Sequence, residues 1–489
     1  MTAHPSRSAV DPPPPGASGV GGPAAARRWR ALAVCLVAGF MTLLDVSIVN
    51  VALPTVRAGL HMSESGLQWV LSGYALAFGL VLVPAGRLGD ARSRRAVFLT
   101  GLALFTLASA LAGAARSQEW LVLARLFQGA AGGVLVPQVS GFIQTLFQGA
   151  ERGRAFGALG ATIGLSTAVG PLLGGLLIHL FGPQDGWRWV FLVNLPIGVA
   201  ALPLARRLLP PPAPAAERAG HRDFDPVGVL LLGAGTVALL LPFVQEQQWH
   251  SAARWLLLPL AAALLGAFVG WERYYARRRE PLVNMALFAV RPYAAGVALS
   301  LVYFAGFTAI FFIFTLYLQA GLHYSALSAG LAITPFALGS AGAAAVGGRL
   351  VARLGRRLVV AGLLLVLCGL VASAGAVRLW SGAATGWATA LPLLVAGAGS
   401  GLVIAPNQTL TLQRVPVARA GSAGGVLQTA QRVGSAVGIA IVGSVFFAHA
   451  RGRHPDWALA FQLGVAVAAG LVLVALVVAV ADVAAGDTP

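Results

Sequence analysis

Lysine is absent from this chain of 489 residues, so all 34 of its basic side chains are arginine. The absence removes the P-loop GxxxxGK[ST], whose lysine holds nucleotide phosphates. Uphill work by this chain would therefore draw on an ion gradient and not on ATP. Acid is also scarce, with 16 Asp and Glu in total. Cysteine is limited to Cys35 and Cys368, which lie far apart in apolar runs, so no disulfide framework is expected. HExxH and GxSxG are both missing, and no His–carboxylate cluster falls on neighbouring apolar runs. A membrane-embedded enzyme acting on lipid is thus the weaker alternative.

What is present is apolar length. Hydrophobic residues make up 57% of the chain and charged ones 10%, with a mean hydropathy of +0.79. Span-length runs recur at about 31–54, 66–86, 96–115, 120–142, 155–181, 188–208, 225–244, 253–271, 293–319, 326–347, 358–377, 384–412, 420–448 and 458–481. Each is close to the ~20 residues a transmembrane helix needs. The fold class is an all-α polytopic membrane protein with about fourteen helices. An even number puts both termini on one side. Long unbroken runs exclude a β-barrel, whose strands alternate over about ten residues.

Arginine sets the orientation. With the N-terminus inside, the inner joints collect Arg87, Arg92, Arg94, Arg95, Arg152, Arg154, Arg206, Arg207, the 273–279 cluster, Arg356 and Arg357. The outer joints hold few, such as Arg57, Arg116 and Arg378. The formal charge of +18 is thus mostly an inner-face charge, and nucleic acid is not needed to explain it.

The chain repeats itself. Gly86-Arg87-Leu88 leads to Arg94-Arg95 as Gly348-Arg349-Leu350 leads to Arg356-Arg357, and Gly129 to Gln138 echoes Gly397 to Gln408. Two six-helix halves with parallel repeats fit one known transporter plan. The division is a disordered tail over 1–26, an N-terminal bundle over 27–208, a linker with two inserted helices over 209–291, a C-terminal bundle over 292–482 and a tail over 483–489. The inserted pair is expected to sit away from the pathway.

Asp45 is the carboxylate that sits well inside a span, where ionisable groups cost about 2.5–3.5 kcal/mol and tend to be functional. By helical rise it lies about 12 Å below the outer surface, and Arg125 about 8 Å below it, so the two can pair. Desolvation favours a neutral carboxyl and a nearby guanidinium favours the charged one. Such a site suits proton coupling. No second acid is expected at this depth, which fits a neutral or monovalent substrate better than a divalent cation. Gly86, Asp90, Arg94 and Arg95 form a tight inner loop that can latch the halves. Gly164, Gly170, Gly174 and Gly175 with Pro171 give a small-residue helix for close packing. Asn50, Gln128, Gln138, Asn407 and Arg432 are candidates for the substrate pathway. Tyr303, Phe307 and Phe311 form a stripe at helical spacing, read as core or lipid-facing before drug-binding wall.

The stretches Leu44–Pro54 (LDVSIVNVALP), Gly86–Arg95 (GRLGDARSRR), Arg125–Gly133 (RLFQGAAGG) and Gly164–Gly175 (GLSTAVGPLLGG) resemble, in this order, the signature motifs of the major facilitator superfamily. The last is similar to the antiporter motif of its drug-efflux branches. With WRWVFLVNLPIG at 187–198, the set resembles the 14-span drug:proton antiporters over about residues 30–480. Ser93 stands where a Gly is usual, and Ala352 stands where the first half has Asp90. The resemblance implies export of an amphipathic drug or antibiotic by alternating access, driven by protons and without cofactor or metal. It also implies a monomer in the bacterial cytoplasmic membrane with both termini cytoplasmic. Proton-coupled uptake is the same-class alternative.

Overall fold

The computed structural model describes residues 23–182, 184–211, 225–244, 252–380, 382–450 and 455–485. The expectations for 1–22, for most of the 209–225 joint and for 486–489 fall outside these residues. The first half comprises α1 (Pro23–Leu60), α2 (Glu64–Leu88), α3 (Arg94–Gly113), α4 (Gln118–Leu146), α5 (Gly149–Phe181), and α6 (Gly186–Leu192) continued by α7 (Asn194–Leu208). An inserted pair follows, α8 (Pro226–Val244) and α9 (Leu257–Tyr275). The second half comprises α10 (Arg291–Leu316), α11 (Ala326–Leu354), α12 (Arg356–Leu379), α13 (Thr385–Ala388) leading into α14 (Ala390–Leu412), α15 (Ala420–Ala450) and α16 (Trp457–Ala484).

Thirteen helical segments among the described residues are long and apolar enough to cross a membrane. One of them, Ser65–Gly113, has 49 residues. At about 1.5 Å per residue that is more than twice a hydrocarbon core, so it carries two crossings. The chain turns at Ser93, whose backbone is extended (φ −157°, ψ 109°) and whose hydroxyl accepts from Ala96 N to cap α3. Fourteen crossings result among the described residues. Pro23–Ala26, expected at the end of the tail, open α1 instead, because Pro at the first position and an alanine run favour helix.

One apolar cluster is built mainly from the first half and draws in Tyr293, Leu412, Ala423 and Leu427 across the seam, and a second is built from the second half. Cys35 is buried and Cys368 exposed, and both are free. The halves meet where α5 packs on α11 and α2 on α15. Small residues make those crossings close. A Cβ on Gly86 would run into the Gly421 carbonyl, and one on Gly157 would lie 2.8 Å from the Ala344 carbonyl oxygen. The inserted α8 packs on α9 and touches α2 of the first half and α15 of the second, through a small cluster with Val83, Phe268, Leu282 and Val283. Tyr303, Phe307 and Phe311 belong to the core of the second half, with Phe311 4.8 Å edge-on to Phe336.

Two buried acids stand beyond the sequence expectation. Glu272, near the end of α9, is fully buried, and its Oε2 accepts from Val283 N at 3.0 Å. Beside it Asp225 caps α8 through Gly228 N at 2.9 Å and accepts from Trp271 Nε1 at 2.9 and 3.0 Å. The sequence hid Glu272 because it falls one residue past the apolar run.

Candidate functional site

The LDVSIVNVALP stretch carries Asp45 into the middle of the first half, where α1, α2, α3, α4 and α7 converge. The carboxylate is fully buried. Its Oδ2 accepts from an Arg125 terminal nitrogen at 2.5 Å. Its Oδ1 accepts from Gln128 Nε2 at 2.8 Å and from Asn194 Nδ2 at 3.3 Å. Arg125, 1% exposed, also donates through Nε to the Val70 carbonyl at 3.1 Å and through a terminal nitrogen to Gln128 Oε1 at 2.7 Å. Its guanidinium lies 4.1 Å over the Tyr74 ring. Gln128 Nε2 reaches Ser109 Oγ at 2.8 Å, closing the network onto α3.

Burying two charges is repaid only when further hydrogen bonds satisfy the remaining donors and lone pairs. That explains why a single ion pair recruits groups from four helices. Arg125 keeps two partners besides Asp45, so the carboxylate can take a proton without stranding the guanidinium. Asp45 and Arg125 are thus brought together as the spacing allowed, and Gln128, expected at the substrate pathway, bonds to both. Sequence reasoning missed Ser109, Tyr74 and Asn194. Only Asn194 gave a signal, as the lone amide inside the 187–198 motif.

Asn50 does not join this network. It is exposed and its amide donates to its own helix, at Val46, at 3.2 Å.

A second site lies at the terminal face, between the halves. Asp90 sits in a π-helical turn, Gly89–Ser93, with its side chain fully buried. Its carboxylate accepts from Gly421 N at 2.9 Å and Ser422 N at 2.8 Å, in the first turn of α15. Exposed N–H groups and the helix dipole make that turn a natural anion seat. Arg94 pairs with Asp90 at 2.6 Å and donates across to the Val417 carbonyl at 3.1 Å. Arg95 bonds the Arg206 carbonyl within its own half, and takes no part in the crossing. Gln138 is fully buried here, donating to the Ala85 carbonyl at 2.8 Å. It fastens α4 to the end of α2.

The second half has a matching corner that does not cross. Arg356 pairs with Asp482 of α16 at 2.6 Å and donates to Asn407 Oδ1. Asn407 Nδ2 in turn donates to Gly296 O at 3.0 Å and Ser300 Oγ at 2.9 Å. Asn407 and Gln138 thus occupy corresponding places near the terminal face.

The glycine-rich α5 is clamped on two sides. A Cβ on Gly164 would lie 2.9 Å from the Ala337 carbonyl oxygen of α11. One on Gly170 would collide with Ser47 Oγ, and one on Gly174 would lie 2.9 Å from Ile48. Ser47 donates to the Ser166 carbonyl at 3.0 Å, locking α5 to the helix of Asp45 two residues away. Pro171 faces Gly330, while Gly175 has ordinary contact only. Arg432 on α15 lies 4.6 Å over the Phe78 ring, and no carboxylate among the described residues pairs with it.

The family model of the Major Facilitator Superfamily matches residues 35–439 and, in a second match, 297–487. A probable actinorhodin transporter of Streptomyces coelicolor is 40% identical over 444 residues, covering 89% of this chain and 75% of that protein. A puromycin resistance protein of Streptomyces alboniger is 37% identical over 428 residues, 86% of this chain and 82% of the relative. A cephamycin export protein of Amycolatopsis lactamdurans is 36% identical over 429 residues, covering 84% of each. Among solved structures, the human organic anion transporter MFSD10 superposes with a TM-score of 0.67 at 16% identity, over 92% of this chain and 99% of that one. The proton:xylose symporter XylE gives 0.64 at 16% identity, over 92% and 95%.

Proposed function

The chain belongs to the major facilitator superfamily, and on that premise we propose that it exports an amphipathic small molecule of the antibiotic class in exchange for protons. The observation that carries the reading is the buried Asp45–Arg125 pair: a proton-accepting group, insulated from water, with its counter-charge held by other partners. Relatives named for export and resistance favour efflux over uptake. The protein is a multi-pass membrane transporter and not an enzyme.

The arginines Arg87, Arg92, Arg94, Arg95, Arg152, Arg154, Arg206 and Arg207 at the terminal face support a cytoplasmic position for that face by the positive-inside rule. The membrane is then the bacterial cytoplasmic membrane, and the working unit a monomer. Residues 27–208 and 292–482 act as the two rocking bundles, with 209–291 as a linker whose helices stay peripheral. Asp90, Gly86 and Arg94 latch those bundles at the cytoplasmic end. Asn50 and Gln128 border the pathway, whereas Gln138 and Asn407 hold helices at its inner mouth. Cells expressing the protein should accumulate less of a susceptible antibiotic than controls, and an uncoupler should erase the difference. Resistance that survives the uncoupler overturns proton coupling.

A further inference from the structure

At membrane depth the described first half balances one carboxylate with one guanidinium, and the second half adds a guanidinium without an acid. Arg432 lies about 18 Å along α15 from Ala420, near the middle of a hydrocarbon core by helical rise. It bonds no backbone carbonyl among the described residues, so capping does not account for it. A charge left so is costly. Its neighbours are also unfinished. Gln428 Oε1 and Thr429 Oγ1, one turn earlier on the same face, are buried and lack hydrogen-bond partners among the described residues. The guanidinium rests on Phe78, a face contact that leaves its planar fork of donors unused. Phe78 stacks 6.0 Å from Tyr74, the ring that lies under Arg125.

We propose that Arg432, with Thr429 and Gln428 beside it, anchors an anionic oxygen of an aromatic substrate, a carboxylate or an ionised phenol, whose ring lies against Phe78 and Tyr74. Arg125 is held by Asp45, so the substrate's anion has its own cation and leaves the proton site intact. The fork geometry of a guanidinium matches a carboxylate through two parallel bonds. The inference rests on the export reading and deepens it by naming the charge of the cargo.

The test uses the full chain in lipid nanodiscs and three probes with one ring: naphthalene-2-carboxylate, naphthalene-2-carboxamide and naphthalen-2-ylmethylammonium. Calorimetric titration should show the carboxylate bound about tenfold or more tightly than the carboxamide, with the ammonium weakest. Arg432→Gln should abolish that preference while the carboxamide affinity stays within about twofold. Arg432→Met, which fills similar space, repeats the measurement if the Gln variant is not monodisperse. A wild type without preference, or a variant that keeps it, overturns the anchor. Proteoliposomes with an imposed proton gradient separate the two readings. If none of the three probes accumulates although Arg432 sets the binding preference, export falls and the anchor stands. If the carboxylate and the carboxamide accumulate without preference, the anchor alone falls.

Discussion

Asp482 holds Arg356 at 2.6 Å in the corner of the second half that corresponds to the one where Asp90 holds Arg94 at 2.6 Å in the first. The arginines match by repeat, but the acids do not. Asp90 comes from the same turn as Arg94 and reaches across to α15, whereas Asp482 comes from α16 and keeps Arg356 inside its own bundle. The first corner therefore bonds across to the other half, and the second bonds only within its own. The Ala352 that breaks the motif in the second repeat is compensated within that bundle, and the crossing at α5–α11 is left to apolar and glycine contacts.

Asp90→Asn should loosen the latch without unfolding the chain. The amide loses the charge that two α15 N–H groups and Arg94 favour, and hydrogen bonds to charged groups are worth about 1.5–3 kcal/mol each. Efflux should fall about tenfold or more, with membrane insertion intact by fractionation. Unchanged efflux in the variant would reduce the loop to a determinant of topology.

Asp482→Asn should act on stability instead. Arg356 and Asp482 are 9% and 11% exposed, so the pair is mostly buried and its loss should cost about 2–4 kcal/mol. Thermal unfolding in detergent should shift down by several degrees while transport per folded molecule stays near wild type. Full stability, or a loss of transport as severe as that of Asp90→Asn, would contradict the division between latch and brace.

Fourteen crossings, the two-fold repeat and the Asp45–Arg125 contact were all readable, because apolar length, arginine bias and helical rise are local properties of the chain. What could not be read depends on which helices meet. Ser109 and Tyr74 look like any polar residue in a span until α2 and α3 close on Asp45. Asp482 sits at the end of the most apolar helical run and offers no motif. Gln138 and Asn407 looked like pathway residues, since an amide inside a span is ambiguous between ligand contact and helix fastening. Their hydrogen bonds to Ala85, Gly296 and Ser300 tie each to a neighbouring helix.

Gly86→Val tests the closure directly. Even the first carbon of a side chain at this position would collide with the Gly421 carbonyl. The two backbones must separate, which opens the terminal end of α2 and α15. A single cysteine placed at Ser422 should become reactive to a membrane-impermeant thiol reagent applied from the terminal side, and transport should stop. A variant that transports normally and keeps Ser422→Cys protected would show that the close approach is not needed.

Asp45→Asn isolates the proton site from the architecture around it. Asparagine keeps the size of the side chain and can still accept from Gln128, while Arg125 retains the Val70 carbonyl and Gln128 Oε1. The helices should therefore stay assembled, although a buried guanidinium that loses its counter-charge lowers stability by about 3–5 kcal/mol. Arg125→Gln in the same background removes that unpaired charge and should restore part of the loss, a sign that the two act as a pair. Neither variant has a group at this position that can take up and release a proton. In vesicles with an imposed proton gradient both should carry substrate only down its own gradient, at the level the wild type shows with an uncoupler. Equilibrium binding, measured without a gradient, should persist. Asp45→Asn molecules that still concentrate substrate against its gradient would place the coupling proton elsewhere, and Glu272 of α9 would be the first buried acid to examine.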